Sequence, residues 1–248
     1  MAKVQWNIID TGRNSADANM RFDADLLERA GEFAGPVLHL YEWETPSATF
    51  GHFIDPSQFL NLDRAGKKGL HLARRPTGGG ILFHIWDMAF SVLVPAHVPE
   101  FSLNTLENYA FVNQAVLHAV RDFLNIPLTP LSLTIEDGPS LDASCSRFCM
   151  AKPTKYDVLL QGKKVAGAAQ RKTKKGFLHQ GSISLQLPSQ EYLEEILLSG
   201  TSVAEAMQRV TCPLLPQDAS ADRNSEVKEQ LKVLLATHLN AASLNLYR

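Results

Sequence analysis

Between positions 14 and 30 the apolar residues fall at helical spacing, with Ala16, Met20, Ala24, Leu27 and Ala30 on one face, which predicts a helix. The period then drops to two. Positions 37–43 alternate Leu38, Leu40 and Glu42 with Val37, His39 and Tyr41, the pattern of a strand, and Pro46 separates it from a second strand at 48–53. Positions 71–75, 81–84 and 89–95 are predicted as short strands split by a Thr-Gly-Gly-Gly turn. Asn104 is placed to cap a long helix with Glu107 at its third position, and Leu106, Ala110, Leu117, Val120 and Leu124 mark its apolar face.

Strand patterns return after Leu131. Positions 157–160 and 165–170 flank the turn Gln161-Gly162. Positions 177–185 follow a second turn, 172–176, whose Gly176 is free to take positive φ. From Gln190 the pattern is helical, ending in a stripe of Val227, Leu231, Leu234 and Leu235. Pro213, Pro216 and the polar stretch 217–225 read as a loop before that last helix. This order of elements predicts an α+β fold, a largely antiparallel mixed sheet flanked by helices, and not a doubly wound one. The 248 residues fit one catalytic-sized domain, 1–248, with 187–248 as a helical C-terminal part too short for a second enzymatic domain.

Composition narrows the picture mainly by exclusion. Apolar residues make up 45% and charged residues 20%, ordinary for a globular protein, and the net charge of -2 gives no basic field for nucleic acid. No apolar run approaches the roughly 18 residues a membrane span needs. The first twelve residues lack a basic region followed by an apolar run, so no signal peptide is expected. Three cysteines make no disulfide framework, and the expectation is a reducing cytoplasm in which a thiol can act as a nucleophile.

Three clusters could carry chemistry. In Arg74-Arg75-Pro76-Thr77-Gly78-Gly79-Gly80, followed by His84, the glycines let backbone N–H groups approach an anion or carbonyl, and the arginines supply forked donors. No Gly-Lys-Ser/Thr follows, so it is not a P-loop, and it lacks the spacing of a dinucleotide fingerprint. A plain glycine turn beside solvated arginines accounts for the same residues. In the second cluster Lys164 opens a strand of small residues, Gly167, Ala168 and Ala169, where a ligand or another backbone could come close. Read alone, Lys164 is better taken as a hairpin-turn lysine. The cations of 171–175 at the next turn are either solvated or a dock for an acidic carrier protein. The third cluster surrounds Cys149, where Lys152, Lys155 and Lys164 could supply the positive charge a thiolate needs. Cys145 and Cys212 read as small buried hydrophobes, and His39 and His118 as structural. There is no His-Glu-x-x-His, no Gly-x-Ser-x-Gly, no kinase signature and no metal-ligand set.

Taken in order, these clusters resemble the biotin/lipoate protein ligase superfamily. The match runs from Asn19-Met20-Arg21-Phe22-Asp23 through Trp43, Pro46 and Gly51-His52-Phe53 to the Arg74–Gly80 segment with His84. It continues through the strand Lys164 to Gln170 and the strand Leu178 to Ile183 that closes the site. The resemblance implies an acyl-binding site built from Arg74, Arg75, Thr77, Gly78, Gly79, Gly80, His84, Gly167, Ala168, Ala169, Gln180, Gly181 and Ser182. It also implies that Lys164 contacts the acyl carbonyl. One octanoyltransferase branch resembles the ligases but carries a cysteine four residues before a proline, five before a serine or threonine, and seven before a tyrosine followed by an acid. Cys149, Pro153, Thr154, Tyr156 and Asp157 repeat that spacing. Where that branch reads glutamine-histidine-glycine-serine, this chain has His179-Gln180-Gly181-Ser182, a swap that turns the imidazole to the other sheet face.

On this resemblance the expected catalytic pair is Cys149 and Lys164. The donor would be acyl carrier protein, and the acceptors lipoyl-domain proteins such as a 2-oxoacid dehydrogenase E2 or the glycine cleavage H protein. No cofactor is then required. The runner-up is a lipoate–protein ligase using ATP and Mg²⁺ through a lipoyl-adenylate. A non-catalytic paralogue that binds lipoyl domains or a carrier protein ranks third, and biotin ligation lower, since the cysteine motif has no role in it.

Overall fold

A computed structural model describes residues 6–246, with the side chains of the last helix described through Ser243. The first five residues of the N-terminal segment read for a signal peptide lie outside the described residues. Two sheets organise the chain. The larger has seven strands: β1 (Asn7–Asn14), β2 (Val37–Trp43), β6 (Asp87–Pro95), β7 (Leu131–Leu133), β8 (Val158–Leu160), β9 (Lys163–Lys172) and β10 (Gly176–Ser184), in the order β1-β2-β6-β10-β9-β8-β7. Only β1 and β2 pair in parallel in it. The smaller sheet orders β4 (His71–Arg74), β3 (Ser47–Phe50) and β5 (Ile81–His84), with β3 parallel to β4 and antiparallel to β5. The expected α+β class with a largely antiparallel mixed sheet is what the chain forms.

Helices cover the large sheet. α1 (Ala16–Glu28) starts where Ser15 accepts a hydrogen bond from the Ala18 amide, so Asn14 belongs to β1 and not to the helix predicted from it. α1 buries Asn19 and Asp23 along with Met20, Leu26 and Leu27, so its inner face is part polar. α3 (Thr105–Leu124) is capped by Asn104, as expected, and ends on Asn125 in the left-handed conformation. Its buried face is Val112, Ala115, Val116, Ala119 and Val120. Leu106 of the predicted stripe is instead exposed, because it lies in the first turn, before the helix reaches the core.

α6 (Ala221–Leu246) packs beside α3 through Val227, Leu231, Leu235 and Leu239. It begins inside the stretch read as a loop, since polar residues suit an exposed first turn as well as a loop. The smaller sheet packs with α2 (Leu62–Lys67), α4 (Gln190–Ile196) and α5 (Val203–Val210) around a second apolar cluster. The strand predicted to run through Phe53 ends at Phe50. Gly51 turns off it because its position lies against the glycine turn, where a Cβ would stand 2.1 Å from the Gly79 carbonyl oxygen. Gly176 has an extended φ of 159°; glycine is needed there because a Cβ would meet the Val94 carbonyl at 2.4 Å. Among the described residues no helix is long and apolar enough to cross a membrane.

Candidate active site

The two sheets face each other across a narrow cavity of about 30 Å³. β9 and β10 supply one wall. Their register places Gly167 opposite Ser182 and Ala169 opposite Gln180, so the side chains of Gln180 and Ser182 rise over a strand that has almost none. Thr49, Leu82 and His84 of the smaller sheet form the facing wall, and Met20 of α1 reaches in from the side. The segment between β7 and β8 closes the space and brings in Cys149 and Met150.

Cys149 is held at three points. Its amide donates to the Ile81 carbonyl at 2.8 Å, its carbonyl accepts from Lys164 Nζ at 2.6 Å, and its sulfur lies 3.6 Å from Arg75 Nη2. The cation at the sulfur is therefore Arg75, not Lys152 or Lys155. Lys152 reaches Asp137, and Lys155 lies over the Tyr156 ring. The two arginines differ in how far they are committed to the frame. Arg75 is buried and donates to the carbonyls of Thr49, Gly78 and Gly80. Arg74 is exposed; its Nη1 donates to the His52 and Ile54 carbonyls and its guanidinium lies over the Phe50 ring. The glycine turn supplies the Gly78 and Gly80 carbonyls to Arg75 because its tight path points them inward.

Lys164 is not a solvated turn lysine. It is 2% exposed and pairs with Asp157 at 2.6 Å. Burial pushes the Asp157 carboxyl up, with Lys164 and then Thr154 pulling the other way. Asp157 reaches this place because Tyr156 takes φ 68°, a costly turn for an aromatic residue. Asn113 holds the Tyr156 carbonyl and Thr134 the Tyr156 amide. Gly167 makes room for the pair: a Cβ there would lie 2.5 Å from Lys164 Cε and 2.7 Å from Asp157 Oδ1.

Behind Arg75 runs a chain of buried polar groups. Arg75 Nη1 donates to Thr49 Oγ1, Thr49 Oγ1 lies 2.8 Å from His84 Nε2, and His84 Nδ1 lies 2.7 Å from Asp87 Oδ2. Ser182 also donates to Asp87. Burial alone would raise the Asp87 carboxyl, but His84 and Ser182 hold it below its ordinary value. Asp87 beside His84 Nδ1 favours a proton on that nitrogen, and Thr49 Oγ1 accepts from Arg75. A second network ties the glycine turn to α1. Thr77 donates to Gln180 Oε1, and Gln180 Nε2 donates to Asp23 at 2.6 Å. Asp23 also meets His39 and Ser91, which accounts for His39 structurally.

Of the residues singled out in the sequence, Cys149, Lys164, Arg75, His84, Gly167, Ala168, Ala169, Gln180, Gly181 and Ser182 line this one cavity. Gly79 and Gly80 line a second, outer cavity of about 210 Å³ with Asp137, Lys152 and Thr154. The two cavities share Cys149, Lys164, Ala168 and Ala169. Thr77 and Arg74 touch neither and act on the frame. His179 is fully buried between the rings of Phe90 and Tyr109, on the face away from Gln180. Cys145 is buried with its thiol pushed up, first by burial.

A model of the lipoyl protein ligase A/B catalytic domain matches residues 15–230. The chain belongs to that family. Among curated relatives, an octanoyltransferase LipM of Lysinibacillus sphaericus is 30% identical over 229 residues, 92% of this chain and 81% of that protein. One of Bacillus subtilis is 31% identical over 210 residues, 84% of this chain and 76% of that protein. A putative lipoate protein ligase from T. acidophilum with bound lipoic acid superposes with a TM-score of 0.63 at 19% identity, covering 98% of this chain and 94% of the other. Lipoate-protein ligase A bound with ATP gives 0.62 at 19% identity, covering 99% and 94%. At those identities the structural likeness is one of fold.

Within this lipoyl protein ligase fold, sequence reasoning passed over Thr49, Asp87 and Asp157 as working parts of the site. Asp87 stands three residues after His84, and Asp157 ends the cysteine motif. Both could have been singled out as carboxylates in otherwise apolar strand starts. Thr49 carries no such signal, since a threonine in a short strand is ordinary.

Proposed function

We propose that this protein is an octanoyltransferase of protein lipoylation, with residues 1–248 acting as one catalytic unit. It moves an octanoyl group from acyl carrier protein, through a thioester on Cys149, to a lysine of a lipoyl-domain or glycine-cleavage-H-type protein. The supporting observation is Cys149 at the junction of the two cavities, with a guanidinium 3.6 Å from its sulfur and the Lys164 ammonium 2.6 Å from its carbonyl oxygen. A cation next to a sulfur open to a cavity is the setting a thiolate nucleophile needs.

In the first step the thiolate attacks the donor's thioester carbonyl. The carbon–sulfur bond to the carrier breaks, and the carrier thiolate leaves. In the second, the acceptor lysine's neutral amine attacks the Cys149 thioester, an amide forms, and the cysteine sulfur leaves with the electron pair while the amine gives up a proton. One thioester replaces another and then becomes a more stable amide, so the energy comes with the donor and no nucleotide enters either step. Two of the three Lys164 donors are committed to Cys149 and Asp157. The third is available for the oxyanion of each tetrahedral intermediate, where a preorganised donor is worth roughly a hundredfold or more in rate. Gln180, Ser182, His84 and the small residues Gly167 to Ala169 shape the inner cavity for the acyl chain.

Intact-mass spectrometry after mixing the protein with octanoyl carrier protein, without acceptor or ATP, tests the reading. The expected product is a single octanoyl adduct that hydroxylamine removes and that Cys149→Ala does not form. A protein that forms no adduct, but attaches free lipoate to an acceptor with ATP and Mg²⁺ even as Cys149→Ala, would be a ligase instead.

A further inference from the structure

The turn joining β9 to β10 carries four cations within five residues: Arg171, Lys172, Lys174 and Lys175. All four are exposed, and among the described residues none forms an ion pair. Three of them are instead tied to backbone carbonyls. Arg171 donates to Pro76, Lys172 to Leu103 and Lys175 to Glu28, so the turn is braced against three separate segments. Bonding to carbonyls leaves the positive charge unneutralised while limiting its motion. Arg171, Lys174, Lys175 and Pro76 border a groove in which Glu28 is the only carboxylate. On the opposite face of the strand pair Leu103 stands 83% exposed, and its carbonyl accepts from the Lys172 ammonium.

We infer that this braced turn, with Leu103 at its edge, is the docking surface for the acidic carrier protein that delivers the acyl thioester. The inference rests on the transferase reading above. Charge supports an acidic partner, and position selects the donor over the acceptor. β9 runs from Ala169 in the cavity wall to Lys172 at the turn, three residues or about 10 Å at the usual strand rise. An acceptor lysine has only a four-carbon stem, so its own backbone must come to the cavity mouth. A carrier's prosthetic arm is several times longer and can reach Cys149 from a body seated at the turn. Pro76 borders the groove and leads directly into Thr77 to Gly80, so the arm would pass along the glycine turn into the outer cavity. An exposed leucine beside a cation suits a partner surface that sets an apolar spot next to acidic residues.

Acyl loading of Cys149 tests this in the absence of acceptor, with two donors: octanoyl carrier protein and octanoyl-pantetheine, the same thioester without the protein. Lys172→Glu/Lys174→Glu should slow loading from the carrier about tenfold or more at low salt and leave loading from octanoyl-pantetheine within about twofold. The unaltered protein should lose carrier loading as salt rises but keep pantetheine loading. Lys67→Glu/Arg209→Glu, the same charge change on α2 and α5, should leave both donors unaffected. Unchanged carrier loading in the turn variant overturns the dock, as does an equal loss with both donors or a defect confined to transfer onto the acceptor. If the unaltered protein loads from neither donor, the transferase reading falls and the dock with it.

Discussion

Arg75 Nη2 lies 3.6 Å from the Cys149 sulfur, and the same guanidinium holds the carbonyls of Thr49, Gly78 and Gly80. One side chain thus sets both the charge at the nucleophile and the path of the glycine turn. Arg75→Met should lower the alkylation rate of Cys149 by iodoacetamide at neutral pH about tenfold. Arg75→Lys should fall between, keeping charge but losing the fork. Peptide mapping should find Cys149 labelled and Cys145, fully buried, untouched in the native protein. Equal labelling of both cysteines, or an unchanged rate in Arg75→Met, would remove Arg75 from the chemistry.

Thr49→Val tests the chain behind Arg75. The substitution keeps the shape but leaves His84 Nε2 without its partner and takes an acceptor from Arg75. Leaving such groups unpaired costs about 1–3 kcal/mol, readable as a shift in the urea midpoint. Loading of Cys149 should slow as well. A stability loss with normal loading would make the chain purely structural.

Two glycines should separate site from core. In Gly167→Ala the new methyl meets the Lys164–Asp157 pair, which can shift within the cavity wall, so the fold should survive while transfer falls by roughly a hundredfold. In Gly181→Ala the methyl would lie 2.2 Å from Phe90, packed in the core, and overpacking there should cost about 1–3 kcal/mol of stability. Thermal melts beside loading assays read the difference.

His179 supplies an acid-sensitive element. Burial lowers its pKa to about 3, against 6.5 for the ordinary side chain. The folded state holds it neutral and the unfolded chain protonates it first. Its stabilising contribution is therefore complete above about pH 6.5 and is lost as pH falls toward about 3. The loss amounts to about 5 kcal/mol at most. His179→Leu should flatten the acid limb of a stability–pH curve over that window. An acid limb identical to that of the unaltered protein would show that other groups dominate it.

The hydrophobic period of the chain was enough to place most strands and the long helices, because each buries a face that repeats at its own spacing. Asn104 and the Gln161-Gly162 turn were readable for a similar reason: capping and left-handed turns demand particular residues locally. The edge strand β1 was not readable, since little of it is buried and its residues follow no alternation. The short helix α2 has too few turns to show a period. Within the site, the residue types of Cys149, Lys164 and the small-residue strand could be picked out by spacing. Their partners could not. That Arg75 turns inward to the sulfur, that Lys164 meets Asp157, and that Thr49 links Arg75 to His84 are contacts between residues 7 to 74 positions apart. Such contacts depend on how the two sheets pack. Sequence by itself determined which groups were present and which elements carried them. Only the tertiary structure decided which charges face the cavity and which are spent on the frame, because burial and hydrogen bonding are set by neighbours brought together in space.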